Sequence, residues 1–241
     1  MSFDYTSIKY DLDVTHKSFF NSIADVGEKL INVDNVIEKI KEYQQTITYT
    51  NENLDRDNYN FTHSDRNKET SIERFISAFK TEYSHQYPFE GKEQIDLIVK
   101  DENNNINIKE IIELKHEEGG DSPLYALIEI VKNYYLLKSK YNHNVKELTI
   151  LAPKEYFYKY FEKDYVQDKD TLKKEFFKIV KNFENKLKKE FNSDIKINLK
   201  TLNFTSKDIF EFRDKNQDKS INELAQEFFN KIGGLKIENY Q

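Results

Sequence analysis

Apolar positions along the chain fall into two periods. Ile8, Tyr10, Leu12 and Val14 alternate as in a short strand, whereas Val33, Val36, Ile37 and Ile40 recur at helical spacing, with Asn32 or Asp34 placed to cap that helix. The polar stretch from Asn51 to Asn67 reads as a long loop. A second helix is expected from about Ser64, because Ile72, Phe75, Ile76 and Phe79 form one stripe at i, i+3, i+4 and i+7. Pro88 and Gly91 then break the chain, and Tyr83 to Phe89 suits a first short strand. Gln94 to Lys100 is β-branched and apolar with one acid inside it, and Ile106 to Lys115 reads as the return strand of a hairpin turning on Asn104 and Asn105.

Gly119 and Gly120 end that strand. Ser122 before Pro123 starts another helix, a cap followed by proline at the first helical position, with Leu124, Leu127, Ile128, Val131 and Tyr135 as its stripe. Leu148 to Leu151, stopped by Pro153, is a buried strand. A Lys-rich helix from about Thr171 to Phe191, a strand-like stretch from Ile195 to Phe204 and an amphipathic helix from Ile221 to Ile232 complete the chain. The order helix, strand, strand, strand, helix, strand predicts an α/β sandwich around a mixed sheet. Three parts are expected: an accessory segment over 1–63, a core over 64–155, and an extension over 156–241 packed on that core.

The 241 residues are enough for a sizeable apolar core. The absence of cysteine excludes disulfides, cysteine zinc sites and a cysteine nucleophile. No signal peptide or membrane-length apolar run is present, so the chain reads as soluble and cytoplasmic. The formal charge of −6 argues against a non-specific DNA coater, which needs basic residues to neutralise phosphates, but leaves room for a local site. No Gly-rich phosphate loop and no Gly-x-Ser-x-Gly element occur.

The candidate chemistry lies in the hairpin. Glu113 and Lys115, two apart on a strand, point to one face. A turn on Asn104 and Asn105 sets Asp96 directly opposite Glu113, with Cβ atoms about 5 Å apart. Two carboxylates at that distance repel, and a divalent cation relieves them: Mg²⁺ takes oxygen ligands, polarises a phosphoryl oxygen and acidifies bound water. Lys115 would orient that water or stabilise developing charge.

Ile95-Asp96, sixteen intervening residues, then Glu113-Leu114-Lys115 resembles the motif of the PD-(D/E)xK nuclease superfamily, over roughly Ser64 to Pro153. The resemblance implies a restriction-endonuclease-like three-layer core, a central mixed sheet flanked by helices. It further implies that Asp96 and Glu113 hold Mg²⁺ (Mn²⁺ can substitute), that the Leu114 carbonyl is a further ligand, that Lys115 acts on the attacking water, and that Glu73 on the preceding helix joins the catalytic set. Ile95 stands where the motif's name has proline. No Gln-x-x-x-Tyr element follows Lys115, which speaks against processive end resection.

Other residues carry two readings each. Thr70-Ser71-Ile72-Glu73 fits a capping box, in which Glu73 would bond its own helix start, and Glu69 is then the alternate acid. Tyr125, Glu129 and Lys132 lie along one flank of a helix, either contacting substrate phosphates or facing solvent. The lysines from Lys173 to Lys189 either hold a phosphate backbone or form a solvated face. His116 is the histidine nearest the motif. The first hypothesis is a metal-dependent nuclease acting on nucleic acid, DNA before RNA, in restriction or phage defence, with flanking segments for target recognition or homodimerisation. The second is a non-catalytic nucleic-acid- or protein-binding scaffold on the same fold. The third is a protein whose outer helices bind a partner.

Overall fold

The computed structural model describes residues 32–46, 66–88, 94–101, 104–141, 143–163 and 169–240. The alternation at Ile8 to Val14 and most of the loop expected before Asn67 lie outside these residues. The described elements, in chain order, are α1 (Val33–Thr46), α2 (Lys68–Phe79), β1 (Tyr83–Pro88), β2 (Gln94–Asp101), β3 (Asn104–Leu114), α3 (Pro123–Tyr141), β4 (Glu147–Pro153), α4 (Lys154–Phe161), α5 (Lys169–Phe191), β5 (Lys196–Leu202), α6 (Ser206–Asp214), α7 (Ile221–Lys231) and β6 (Ile237–Asn239).

The strands form one six-stranded mixed sheet in chain order, β1 to β6. β1, β2 and β3 are antiparallel, β3 to β4 and β4 to β5 are parallel, and β6 returns antiparallel to β5. Alternation along the strands sorts side chains onto two faces. Ile111 of β3, Leu148 and Ile150 of β4, and Ile197 and Leu199 of β5 pack with α1, α3, α4 and α5. Ile112 and Leu114, Leu151 and Leu202 pack on the other face with α2, α6 and α7. The protein is therefore an α/β fold of three layers. β5 continues the sheet directly from β4, so the sheet runs through the boundary expected near 155.

Local chemistry explains the element ends. Asn32 caps α1, its Oδ1 accepting from the Asp34 and Asn35 amides at 2.9 and 3.3 Å. Ser122 Oγ accepts from the Tyr125 amide at 3.2 Å, so Ser-Pro starts α3 as expected. From Leu124 to Leu137, α3 is buried almost all round, beyond its expected stripe, because β2, β3, β4, α1 and α5 surround it. α5 is the opposite case. It buries Leu172, Phe176, Ile179, Val180, Phe183 and Leu187, while Lys178 and Lys181 pair with Glu175 and Glu184 on its wet face.

Three described elements were not anticipated. α4 places Tyr156, Phe157, Tyr160 and Phe161 at helical spacing directly after Pro153, where the preceding strand masks the signal. α6 starts at a capping box of Thr205 and Asp208, a legible signal, but carries a short and broken apolar stripe. β6 has three residues, too few for a period. The hairpin turn is also displaced. β3 begins at Asn104, which pairs with Asp101, and not after a turn on Asn104 and Asn105. Register shifts on either side of Lys100 absorb the difference, so Val99 pairs with Glu110 and Leu97 with Ile112. Among the described residues no helix is long and apolar enough to cross a membrane.

Candidate acid–lysine centre

The candidate site forms where β3 ends beside β4. The Lys115 amide donates to the Leu151 carbonyl at 2.9 Å, which holds the residue after β3 in line with the neighbouring strand. The observed register, continued one step from Leu97 and Ile112, sets Asp96 opposite Glu113, as the hairpin predicted despite its displaced turn. Asp96 Oδ2 accepts from the Leu114 amide at 2.7 Å, tying the two strands together at the acid. Lys115 Nζ donates to Glu113 Oε1 at 2.7 Å and to Glu129 Oε2 at 2.9 Å. Asn133 Nδ2 reaches Glu113 Oε2 at 3.4 Å. Glu113 and Lys115 are only 5% and 4% exposed, so this is a buried charge cluster and not a solvated strand face.

Helix α2 brings the remaining acids. The capping-box reading of Glu73 is overturned. Asn67 is the cap of α2, its Oδ1 accepting from the Thr70 amide at 3.0 Å, and Glu73 lies in the second turn, buried. The charge of Glu73 acts on Asp96, and that of Glu69, one turn earlier, acts on Lys115, His116 and Asp96.

The solvated-flank reading of Tyr125, Glu129 and Lys132 also fails. Tyr125 and Lys132 are buried, and Glu129 belongs to the cluster itself, although its side chain keeps 19% exposure and hence contact with solvent. Lys132 extends toward the Tyr43 ring of α1, its Nζ 6.0 Å from the ring centroid.

Electrostatics follow from burial. Burial, then the charge of Glu73, pushes Asp96 well above the usual carboxylate range. Burial, then Asp96, pushes Glu113 up to about 7, against Lys115. Burial, then Glu113, takes Glu129 to about 7 as well. For Lys115, burial favours the neutral amine, but Glu113, Glu129, Asp96 and Glu69 together outweigh it and hold the ammonium well above the ordinary lysine range.

The loop after Lys115 is fixed from several sides, by residues that sequence reasoning missed. Glu117 accepts from the Ser206 amide at 3.1 Å and from Ser206 Oγ at 2.6 Å, at the start of α6. Glu118 pairs with Lys68 of α2. Tyr156 and Tyr160 of α4 donate to the Asp121 carbonyl at 2.8 and 3.0 Å, and Lys159 Nζ donates to the Gly119 carbonyl at 2.9 Å. A Cβ on Gly119 would stand 3.1 Å from the His116 carbonyl, so the turn leaves little room there. No local signal could have found these partners, since Glu117 and Ser206 are 89 positions apart. His116 accepts from the Glu118 amide through Nδ1 at 3.2 Å, within this loop.

The donors are all oxygen, which suits Mg²⁺ or Mn²⁺ and not a soft metal. Among the described residues, no three His, Asp or Glu side chains stand in ready ion-holding geometry. Instead the Lys115 ammonium acts as the internal cation between Glu113 and Glu129. A cleft of about 440 Å³ between α5 and the starts of β4 and β5 lies at the opposite end of the sheet, and its Lys146, Lys181 and Lys188 alternate with Glu147, Glu184 and Asp194. That mixture of signs, far from the buried charges, reads as an ordinary surface groove.

Fold and cluster together define an α/β protein of three layers with a buried acid–lysine centre at the ends of β3 and β4. No protein-family model matches the chain, and neither a curated protein nor a solved structure matches it.

Proposed function

We propose that the chain is a divalent-metal-dependent nuclease of the PD-(D/E)xK type acting on DNA, with a role in restriction or phage defence. One observation carries this reading. Glu113 and Lys115, both buried, meet the partly exposed Asp96 at one point with Glu73 beside them, which is the set that the resemblance implies. The order α2, β1, β2, β3, α3, β4, with an antiparallel trio and then a parallel strand, supports a restriction-endonuclease-like core.

Asp96 and Glu113 would hold the ion, with the Leu114 carbonyl and Glu73 as further donors. The ion would supply Lewis-acid polarisation of a phosphoryl oxygen and a more acidic water. Lys115 keeps its proton at neutral pH, so it donates hydrogen bonds and does not act as a base. It would therefore orient a water or meet the negative charge that develops on the phosphate. Glu129 stays in contact with solvent and with Lys115, so the centre is reachable from outside.

A non-catalytic scaffold is the second reading. It draws on the Lys115 ammonium already bridging Glu113 and Glu129 without an ion. A cleavage assay on single- and double-stranded DNA and RNA with Mg²⁺ or Mn²⁺ separates the two. Nuclease chemistry requires metal-dependent cleavage by the wild type and a loss of at least about a hundredfold in Lys115→Ala, the usual scale for one transition-state donor. Cleavage of no substrate by the wild type would favour the scaffold.

A further inference from the structure

Lys115 serves two carboxylates at once, and only one of them belongs to the set that would hold an ion. Its Nζ lies 2.7 Å from Glu113 Oε1, on the same strand end, and 2.9 Å from Glu129 Oε2, on α3. An ammonium that close to Glu113 competes with any second cation for the same oxygen, and the two cations repel. When an ion takes Glu113, the ammonium must keep another counter-charge, because a buried charge stripped of its partner is strongly disfavoured. Glu129 already touches it. Glu129 also stands on a different element from the candidate ligands, one helical turn from Asn133, which holds the far oxygen of Glu113. Besides Lys115, the charged or titratable groups around Glu129 include Glu113, Lys132, Glu69, Tyr125 and, from α4, Tyr156. Among these, Lys132 is directed toward the Tyr43 ring of α1.

We propose that Glu129 is a positioning residue that seats the Lys115 ammonium when Glu113 turns to a divalent cation. It keeps Lys115 inside the centre and lowers its competition for Glu113. This inference rests on the nuclease reading and assigns Glu129 a task that differs from contacting substrate.

The test is a Mg²⁺ titration of full-length protein followed by thermal shift, on wild type, Glu129→Gln, Lys115→Met and the double variant, with cleavage measured in parallel. Glu129→Gln should weaken Mg²⁺ binding by about tenfold, a typical size for coupled sites, because Lys115 falls back wholly on Glu113. Lys115→Met should tighten Mg²⁺ binding, since it releases Glu113. In the Lys115→Met background, adding Glu129→Gln should change nothing. Glu129→Asp, which keeps the charge, should recover part of the lost affinity, and it replaces the Gln variant if that one does not fold. Equal weakening by Glu129→Gln with and without Lys115 would overturn the proposal and make Glu129 an ion ligand. Unchanged affinity in Glu129→Gln, or no gain in Lys115→Met, would also overturn it, and metal-dependent cleavage by the wild type would then still support the nuclease reading. Absence of any Mg²⁺ shift in the wild type would instead bring down the nuclease reading, and this inference with it.

Discussion

An acid inside an apolar strand is costly unless its neighbours compensate it, and around Asp96 they compensate only in part. Burial and Glu73 oppose its charge, whereas Lys115 and the Leu114 amide stabilise it. Glu113 rises to about 7 from the ordinary 4.5 for burial and for the Asp96 charge. A raised carboxylate binds its proton in the native state at pH values where the unfolded chain has lost it. Without metal, the share of stability that Glu113 and Glu129 control is therefore greatest below about pH 4.5 and falls as the pH rises toward about 7. Asp96→Asn keeps the shape and removes the charge that Glu113 feels. Denaturant unfolding in the absence of metal should show the variant gaining about 1 kcal/mol over wild type near neutral pH, with a flatter profile between those limits. Added Mg²⁺ should stabilise the wild type and not the variant. A variant with the wild-type profile would mean that the two acids do not share a site. The pairing of Asp96 with Glu113 was legible because strand alternation and hairpin register need only counting. The place of Glu129 was not. A helix buried almost all round gives no periodic clue to which of its polar residues meets the charges: the sequence offered Tyr125, Glu129 and Lys132 alike, and gave no sign of Asn133.

Elements deliver these residues, and their ends matter as much as their faces. Asn67 starts α2 and so sets how Glu69 and Glu73 project, two turns and less from the cap. Asn67→Ala should cost about 1 kcal/mol in denaturant unfolding, the usual worth of such a cap. A change within error would show that tertiary packing alone fixes the helix start. The sequence had offered two starts for this helix, near Ser64 and at Thr70, and both missed Asn67 by three positions. Polar residues crowd the stretch, so several could cap; the one that does is selected by how Ile72, Phe75 and Ile76 must face the sheet. The strands were read more accurately than the caps. β-branched runs such as Gln94 to Lys100 and Leu148 to Leu151 have few alternatives, whereas the displaced hairpin turn was free to move because the register shifts near Lys100 restore pairing before the acids are reached.

At the scale of the whole molecule, the second apolar layer comes from helices on either side of the sheet in chain order, α2 before β1 and α6 and α7 after β5. Ile72, Phe75 and Ile76 of α2 pack against Phe228 and Phe229 of α7, with the Phe75 and Phe228 rings edge to face at 5.6 Å, and Phe204 closes the cluster. A fragment of residues 64–155 would keep α2 through β4 and lose this cover, leaving Ile112, Leu114 and Leu151 without half of their neighbours. The fragment should melt without a sharp transition and bind a hydrophobic dye, while the full chain unfolds cooperatively. Sharp melting of the fragment would show that the first four strands and their two helices are enough. Sequence periodicity drew the core near 64–155 because amphipathic stripes report that a face is covered but not by what. The partner of a stripe 150 positions away is a three-dimensional fact.

The packing of α2 on α7 has a consequence for how the protein is made. Strands that pair in chain order can join the sheet one after another as they leave the ribosome, and Asp96, Glu113 and Lys115 meet early. The helix that carries Glu69 and Glu73, however, gains part of its cover only from α7, which is translated after β5. A nascent chain thus holds Asp96, Glu113 and Lys115 together before α7 can lock Glu69 and Glu73 in place beside them.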